Sequence, residues 1–467
     1  MRMEAHKDAA LAAGGQHARK ASLCLVLPVV PWPIRRNGYS LRFAPLVAHL
    51  ARRYELDVLV LAEGGESLPP GASFGECHAL TLLEVPGTSA PRWLRRIKVT
   101  CYWLSPWGAS AGSVRYAGSR LERALLGYLQ QRDYAVVVWA ARHLEIACRI
   151  RRRFPQTRFV IDVIDSPALL ILRNASTHPL DRMLSRLDGW KLRRLERHLQ
   201  EVFDAAIYIS KVDAQAARAG PAARVHVVPN GIFHADAPAL AGAARPGRVV
   251  GFLGNMSYPP NVSAALRLAH RVFPRIQSRL TDATLLIIGR DPAPEIRQLA
   301  GAAISVTGTV DNIWSQIIRA NVFVFPMIEG TGLQNKILEA MYAGVPVVTT
   351  AIAAAGMNAS SGEQLLVAES DDEIADQTLK LLGDAPFSAA LAERARTFVL
   401  REFSWPAILP LYEAIVAPVP AVAVAARSAA PPALAAASGP PAWSMRNGPP
   451  SLARERQGAG GSSDAPG

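Results

Sequence analysis

The 467-residue sequence is poor in cysteine and has no long apolar run. Its four cysteines contain no C-x-x-C pair and lie too far apart for a disulfide framework or a zinc ribbon, so we expect a protein of the reducing cytosol. The longest apolar run, Ser22 to Pro33, has about a dozen residues, whereas a helix needs roughly 20 to span a bilayer. No small-residue cleavage site follows it, as a secretory signal would require. The sequence therefore predicts a cytoplasmic protein that does not cross a membrane.

Acidic charge is also scarce, but only in the first half of the chain. Residues 22–235 carry 29 basic and 17 acidic side chains, a net charge of +12, whereas residues 236–416 carry 14 and 17, a net charge of −3. Residues 1–21 and 417–467 each add +2, which gives the total of +13. Because opposite charges attract, we expect the basic half to face an anionic partner.

Length and composition predict two domains between two tails. At roughly 150 residues per domain, the chain can form two or three domains that each bury a core. Residues 1–21 lack apolar periodicity and residues 417–467 are rich in Ala and Pro, so we interpret both as disordered tails. An Ala/Gly/Pro-rich segment near residues 234–247 marks the expected boundary between an N-terminal domain, 22–235, and a C-terminal domain, 236–416.

Short runs rich in Val, Ile and Leu alternate with helical patterns in both predicted domains. The runs are continuous instead of alternating with polar residues, which is typical of parallel strands buried on both faces. They read SLCLVLPVV, LDVLVLA, YAVVVWA, RFVIDVID, DAAIYIS and RVHVVPN in the first half, and RVVGFLG, ATLLIIGR, ISVTG, NVFVFP and GVPVVTT in the second. Each domain is therefore predicted to be an α/β, doubly wound, Rossmann-like domain that binds ligands at the carboxyl ends of its strands.

The segment after NVFVFP is the most informative loop. It reads EGTGLQNKILEAM, and its glycines let backbone N–H groups approach an anion at the start of a helix predicted from about Leu333. Lys336 and Glu339 share one face of that helix, because they are three residues apart. Lys336 is suited to neutralise a diphosphate, and Glu339 to accept hydrogen bonds from ribose hydroxyls. A capped amphipathic helix with an ordinary surface Lys and Glu explains the same spacing.

Five motifs in a fixed order resemble those of a known family. They are VPNG, GNMSYPPN, IIGRDP with GTVDN, GTGLQNKILEAMYAGVPVV, and FSW. Together they resemble a family 4 (group 1) glycosyltransferase of the GT-B fold, and more narrowly the bacterial sugar transferases of exopolysaccharide gene clusters. The resemblance covers about residues 22–416 and is strongest over residues 228–346. It implies two Rossmann-like domains that face a central cleft.

The resemblance also implies an activity and a donor site. It implies transfer of a sugar, with retention of configuration, from a nucleotide-diphosphate donor to a lipid-linked or oligosaccharide acceptor in exopolysaccharide or cell-surface glycan synthesis. It implies no metal and no cofactor besides this donor. Lys336 then matches the phosphate-binding lysine, Glu339 the ribose-binding glutamate, and Gly38 the glycine of a loop that closes over the phosphates. The positions expected to bind the donor are Gly38, Gly254, Asn255, Thr309, Val310, Thr331, Gly332, Leu333, Gln334, Lys336 and Glu339.

The chain departs from the commoner family pattern at several positions. That pattern has two glutamates separated by seven residues, but here the first position is Thr331, and Glu329 is the nearest carboxylate. No basic residue occurs between Gly254 and Asn261, so more of the diphosphate charge would fall on Lys336. Either Glu329 or Thr331 would take the role of the first glutamate.

Three residues of the first half are candidates for contacts with the transferred sugar or the acceptor. His143 is the only candidate for a histidine that some relatives place after a central strand, but it comes one helical turn late, so a helix-surface position is the alternative. Asp162 and Asp165 end a predicted strand, where they would orient the acceptor or the sugar, or would cap the strand. The predicted catalytic residues are thus Lys336, Glu329, Asp165 and His143.

Asp371 and Asp372 lie at the start of a predicted helix. Capping of that helix and stabilisation of its dipole explain them more simply than metal binding does.

Three clusters supply much of the basic charge of the first half. They are Arg92, Arg95, Arg96 and Lys98 among tryptophans and tyrosines; Arg149 with Arg151, Arg152 and Arg153; and Arg182, Arg186, Lys191, Arg193, Arg194 and Arg197 on a predicted helix. Interleaved basic and aromatic residues are typical of surfaces that contact anionic lipid headgroups, which predicts a peripheral position on the inner face of the plasma membrane. A solvated basic rim around an aromatic core explains the same residues.

Two other functions share some of these features. A nucleic-acid-binding protein would add a docking motif to its basic charge, and the sequence has none, so we expect no nucleic-acid partner. A nucleotide-sugar epimerase of the same fold would share the donor site but would need a pair of acid/base carboxylates in the cleft. The first half offers no clear pair, and the epimerase stays as the alternative.

Overall fold

The computed structural model describes residues 20–31, 38–62, 77–85, 118–140, 143–173, 179–217, 224–232, 247–329 and 333–418. These residues form two α/β lobes inside one compact unit. Nearly all residues of the predicted tails, and most of the predicted boundary segment, lie outside these ranges. Among the described helices, none is both long enough and apolar enough to cross a bilayer.

The first lobe contains a seven-stranded parallel sheet in the order β3-β2-β1-β4-β5-β6-β7. Its strands are β1 (Ser22–Leu27), β2 (Glu55–Ala62), β3 (Ala79–Glu84), β4 (Val136–Ala140), β5 (Arg158–Ile164), β6 (Ala205–Tyr208) and β7 (Val225–Val227). Successive strands add outward from β1 on one side and from β4 on the other, so this is a doubly wound sheet whose direction reverses between β1 and β4. The central strands β1 and β4 are almost fully buried, which explains their continuous apolar sequences.

The second lobe repeats this topology with six parallel strands in the order β10-β9-β8-β11-β12-β13. Its strands are β8 (Val249–Leu253), β9 (Thr284–Ile288), β10 (Ile304–Val306), β11 (Val322–Phe325), β12 (Val347–Thr349) and β13 (Leu366–Val367). The strand order reverses between β8 and β11. The predicted pair of doubly wound Rossmann-like domains is therefore confirmed.

Helices cover the faces of both sheets. In the first lobe they are α1 (Gly38–Arg53), α2 (Gly118–Leu129), α3 (Leu144–Arg153), α4 (Pro167–Arg173), α5 (Pro179–Val202) and α6 (Lys211–Ala217). In the second half of the chain they are α7 (Pro259–Arg267), α8 (Phe273–Gln277), α9 (Pro294–Arg297), α10 (Trp314–Ile317), α11 (Asn335–Tyr342), α12 (Ala351–Ala354), α13 (Asp371–Gly383), α14 (Ala385–Phe403) and α15 (Trp405–Val416), with a π-helical turn, Leu268–Val272, between α7 and α8.

The last described helix differs from the predicted domain division. Although the sequence assigned α15 to the C-terminal domain, Trp405, Ile408 and Tyr412 belong to the core that β1 and α1 build in the first lobe. The reason is burial of apolar surface, because α15 packs against that core and Tyr412 is completely buried there. The chain thus passes from the first lobe to the second and returns.

The two segments that join the lobes lie beside each other. The backbone N–H of Ile232, at the end of the VPNGI segment, donates to the carbonyl of Phe403 at 2.8 Å. Ile232 also forms an isolated parallel bridge with Ser404, in the FSW motif. Two of the five sequence motifs therefore meet where the chain changes lobe.

Candidate active site

The strand order of the second lobe reverses between β8 and β11, and doubly wound sheets form a crevice at the carboxyl ends of the strands beside such a reversal. The loop after β8 begins with Gly254, and the loop after β11 leads through Glu329 to α11. Ligands of doubly wound sheets bind at such a reversal, because the loops from the two strands diverge there. The two motifs that carry most of the family resemblance therefore face the same crevice.

Lys336 lies in the first turn of α11 and reaches into this crevice. Its Nζ lies 5.8 Å from the ring centre of Phe252 on β8 and 5.9 Å from that of Phe325 on β11. Nζ donates hydrogen bonds to Oδ1 of Asn261 at 2.5 Å and to Sδ of Met327 at 3.3 Å. Burial lowers the pKa of Lys336 to about 7. An anion bound here would reverse this shift, because an opposite charge favours the ammonium form.

Asn261 positions the lysine, and sequence reasoning did not single it out as a site residue. Its side chain is buried, and its Nδ2 donates to the carbonyl of Asn255 at 3.0 Å while Oδ1 accepts from Lys336. Asn255 in turn accepts at Oδ1 from the backbone N–H and the hydroxyl of Ser257, at 3.1 and 2.9 Å. Asn261 is the last residue of the GNMSYPPN motif, so the motif contained it. Its neutral amide side chain alone does not indicate a phosphate site.

Two glycines let this loop pack against the neighbouring strand end. A Cβ atom on Gly254 would lie 2.8 Å from Nδ2 of Asn261, and one on Gly289, just after β9, would lie 1.8 Å from the carbonyl oxygen of Gly254. Neither position has room for a side chain. The predicted site residues Gly254 and Asn255 are thus placed by close backbone contact with β9.

The amino end of α11 provides backbone donors beside Lys336. The helix begins at Asn335, two residues after the predicted start at Leu333, and the side chain of its N-cap residue, Gln334, makes no capping hydrogen bond. The first N–H groups of a helix and the helix dipole favour an anion at this position. Leu333 is buried and Gln334 is partly buried, whereas Thr331 and Gly332 lie outside the described residues. Glu339 lies one turn farther along the same helix, as its spacing from Lys336 predicts.

The remaining predicted residues of the second lobe border the same edge of the sheet. Thr309 and Val310 follow β10, and their loop is tied to the β9 loop because Oγ1 of Thr307 accepts from the N–H of Gly289 at 3.3 Å. Glu329 is partly buried in the loop after β11. The structure thus brings the described donor-site candidates of this lobe to one edge, and leaves their individual roles as predictions.

The corresponding reversal in the first lobe lies between β1 and β4. Gly38 is the first residue of α1, which follows β1. His143 follows β4 and immediately precedes α3, with the left-handed φ of 55° that histidine adopts more readily than most residues. His143 is therefore the N-cap residue of α3, at the junction of the strand-end loop and the helix, and its role stays a prediction.

Asp165 directly follows β5, one strand beyond this reversal. The pairing of β5 with β6 shifts register between Asp162 and Ile164, and Ile164 has a φ of 68°, a strained value for a β-branched residue. Oδ1 of Asp165 is buried and has no hydrogen-bond partner among the described residues. Burial, assisted by the negative charges of Asp213 and Asp162 and opposed by Arg42, raises the pKa of Asp165 to about 7.

The environment of Asp162 is different. Its Oδ2 accepts from Nε of Arg42 at 2.8 Å, and both side chains are buried. Nη1 of Arg42 also donates to the carbonyl of Val228 at 3.1 Å and to Oδ1 of Asn230 at 3.0 Å, in the VPNG motif. Asp162 therefore has a buried basic partner, and for both aspartates the choice between orienting a ligand and capping the strand stays a prediction.

The aspartates at the start of α13, Asp371 and Asp372, lie in its first turn, but the residue that caps this helix is Ser370. Ser370 and Glu373 form a reciprocal capping box, and Asp371 pairs with Nε of Arg267 at 2.7 Å. Within the described ranges, no three His, Cys, Asp or Glu side chains converge as metal ligands would.

Residues 247–384 match the family model named Glycosyl transferases group 1. This range contains Gly254, Asn261, Glu329 and Lys336, the residues that surround the crevice of the second lobe. This part of the second lobe is therefore similar to the group 1 glycosyltransferases.

The chain is also similar to curated glycosyltransferases over part of its length. The chain is 31% identical over 202 residues to a phosphatidyl-myo-inositol mannosyltransferase of Mycolicibacterium smegmatis, an alignment that covers 40% of this chain and 51% of the relative. The chain therefore spans about half the length of this relative.

Solved structures resemble the second lobe together with the first lobe. HepE of Anabaena, in complex with UDP and glucose, superposes with a TM-score of 0.57 at 14% identity, over 85% of this chain and 99% of that one. Sucrose-phosphate synthase of Thermosynechococcus elongatus gives 0.59 at 15% identity, over 85% and 98%. At such identities the likeness shows the fold alone, which is GT-B, as the sequence motifs imply.

Proposed function

We propose that the protein is a metal-independent, retaining glycosyltransferase that moves a sugar from a nucleotide-diphosphate donor to a lipid-linked or oligosaccharide acceptor. Its place would be in the synthesis of exopolysaccharide or another cell-surface glycan. The observation that carries the proposal is the position of Lys336, which lies at the start of α11 inside the strand-reversal crevice of a lobe that is similar to the group 1 glycosyltransferases.

The chemistry follows from where charge develops during transfer. When the bond between the sugar and the diphosphate breaks, negative charge builds on the leaving diphosphate oxygens. Donors that are already oriented toward those oxygens stabilise the transition state more than the ground state. Lys336 and the N–H groups of α11 would provide this stabilisation, which a bound metal ion supplies in other enzymes.

The relatives suggest which donor and acceptor to test first. HepE was solved with UDP and glucose, so UDP-sugars are the first donors to test. The name of the mycobacterial relative specifies mannosyl transfer to a phosphatidylinositol lipid, which supports a lipid acceptor here. Asp165 and His143, on the first lobe, would contact the acceptor or the transferred sugar.

The test begins with a thermal-shift screen of nucleotide sugars, since a ligand of the native state raises its melting temperature. With the donor so found, Lys336→Ala is expected to lower the rate of donor hydrolysis about 10²-fold, a loss of about 2.7 kcal/mol of transition-state stabilisation. Lys380→Ala, on the exposed face of α13 in the same lobe, is the matched control and should keep the normal rate.

Two outcomes would contradict the proposal. Unchanged donor hydrolysis in Lys336→Ala would remove the lysine from the donor site. An epimerised sugar nucleotide, formed from the donor alone without any acceptor, would favour the epimerase over the transferase.

A further inference from the structure

The long helix α5 extends well beyond the core of the first lobe. It has 24 residues and is therefore about 36 Å long, whereas its neighbour β6 has four residues. The apolar core of the lobe includes Leu195, Leu199 and Val202 from α5, and no described residue of α5 before Leu195. The first half of α5 thus continues past the core.

This first half packs against α4 instead. A Cβ atom on Gly189 would lie only 2.7 Å from Cδ2 of Leu172, so the glycine lets the two helices approach closely. Helix α4 begins at Pro167, two residues after Asp165. Helices α4 and α5 therefore form a pair that starts beside the predicted acceptor side of the active site.

The solvent-facing side of α5 is basic and contains large apolar side chains. Met183 and Trp190 are 61% and 45% exposed. At 100° per residue, they fall with five exposed arginines within an arc of roughly 120° on the helix. We call this surface the arginine face; its members are Arg182, Met183, Arg186, Trp190, Arg193, Arg194 and Arg197. Of the acidic residues of α5, Asp188 and Glu196 are buried, whereas Asp181 and Glu201 are exposed near its two ends.

The other basic clusters of the first lobe are arranged differently. Arg149 pairs with Glu122 at 2.7 Å, and Arg151 with Asp204 at 3.4 Å, so carboxylates of the protein itself offset part of their charge. Residues 92–98 lie outside the described ranges. The arginine face is therefore the described basic surface that combines concentrated charge with exposed Trp and Met side chains.

We propose that the arginine face docks the protein onto an anionic lipid bilayer. Arginine is attracted to anionic headgroups, tryptophan partitions to the boundary between headgroups and acyl chains, and a helix with both kinds of residue on one face lies along that boundary. A nucleic acid would use the charge but would leave Met183 unexplained. The inference rests on the proposed function in one respect, since a bilayer beside α4 would present a lipid-linked acceptor close to Asp165.

The experiment measures co-sedimentation of the full chain with vesicles, without donor or acceptor. Vesicles of phosphatidylcholine and phosphatidylglycerol should bind the protein at low salt, and vesicles of phosphatidylcholine alone should bind far less. Binding should weaken at 1 M salt, where the Debye length falls to about 3 Å. The triple variant Arg182→Gln, Arg186→Gln, Arg193→Gln should lower partitioning about 100-fold, because each arginine near an anionic surface contributes about fivefold.

A matched triple variant separates this surface from total charge. The matched variant carries Arg279→Gln, Arg319→Gln and Arg401→Gln, which remove the same charge from exposed positions in the second half of the chain. It should leave vesicle binding within about twofold of the wild type. Trp190→Ala should also weaken binding, and Trp190→Tyr should restore most of it, because tyrosine likewise prefers the membrane interface.

The outcomes separate this inference from the proposed enzyme. Three results would each overturn the inference. The protein does not bind vesicles, the two triple variants lose vesicle binding equally, or the triple variant of the arginine face loses binding to duplex DNA but not to vesicles. Donor-induced thermal shifts should be identical in the wild type and in both triple variants. If vesicles bind but no nucleotide sugar does, the proposed function fails and the docking surface stands.

Discussion

At the scale of single residues, burial disfavours the charged forms of Lys336 and Asp165. Burial lowers the pKa of Lys336 and raises the pKa of Asp165, each to about 7. Both groups therefore hold a mixture of charged and neutral forms near neutral pH. Titratable groups poised in this range are typical of sites that gain a charged or hydrogen-bonding ligand.

Binding of UDP should be accompanied by proton uptake at Lys336. At pH 8 this lysine is mostly neutral, and the diphosphate should return it to the ammonium form, so about one proton should be taken up. Calorimetry of UDP binding in two buffers of different ionisation enthalpy measures this number. Lys336→Met should show almost none, and equal uptake in that variant would place the titrating group elsewhere.

Asp165→Asn should stabilise the protein at pH 8 and remove part of its pH dependence. Because the folded pKa of Asp165 is raised, the folded state binds more protons than the unfolded state between about pH 4 and 7, and stability falls as pH rises through this window. The asparagine variant avoids that loss, so its melting temperature at pH 8 should be about 2 °C or more above that of the wild type.

Melting curves at pH 5 and pH 8 check this sign, with Asp133→Asn, at an exposed position, as the control. We expect lower transfer activity in Asp165→Asn together with its higher stability, which is the usual relation where a site residue is kept at a cost to folding. A variant that is less stable than the wild type at pH 8 would contradict the assignment.

At the scale of elements, the strand-end loops hold the donor site through backbone contacts. Gly289→Ala should destabilise the second lobe by about 1–3 kcal/mol, because its Cβ would overlap the carbonyl of Gly254 and force the two loops apart. The same shift should move Asn261 and weaken UDP binding. Gly301→Ala is the control, since a Cβ there meets no atom within 4 Å. Equal melting temperatures and UDP affinities for the two variants would contradict this account.

The strands that sequence reasoning found, and those it missed, differ in burial. Continuous apolar runs predicted the buried strands in both sheets, because a strand covered on both faces needs apolar residues throughout. The edge strand β3 was missed since every one of its residues is partly or fully exposed, and β13 since it has two residues. Leucine and valine side chains at helical spacing predict a helix over residues 180–202, and α5 begins one residue before that range.

The candidate site was predictable only where chemistry and spacing occur in one segment. Lys336 and Glu339 are close in sequence, so helical geometry alone places them on one face. Asn261 and Met327 meet the same lysine from two other loops, and that meeting depends on the strand order of the folded sheet. The position of His143 directly before α3 was not predictable, because the start of a helix after a strand has no fixed offset in sequence.

At the scale of the whole molecule, Arg42 connects elements that are far apart in the chain. It pairs with Asp162 on β5, bonds the VPNG segment, and has its guanidinium carbon 5.6 Å from the ring centre of Tyr412 on α15. Both charged partners are buried, so removing one leaves the other without compensation.

Arg42→Met should therefore lower the free energy of unfolding by about 3–5 kcal/mol. Denaturant titration of Arg42→Met, Asp162→Asn and the double variant measures the coupling, and the double variant should recover part of the loss. Arg53→Met is the control on the same helix, because Arg53 is 59% exposed where it pairs with Glu413 and should cost under about 1 kcal/mol. A loss in Arg42→Met no larger than in the control would show that the buried pair does not hold these elements together.

The position of α15 in the first lobe also affects the order in which the two lobes fold during translation. Trp405, Ile408, Tyr412 and Val416 complete a core whose other buried members precede Ile232 in the chain. At 5–20 residues per second, translation needs roughly 10–35 s to pass from Ile232 to Trp405. During that interval the nascent first lobe exposes the apolar surface that α15 later covers. The core of the second lobe ends at Phe403, so this lobe is synthesised in full before the lobe that is begun first.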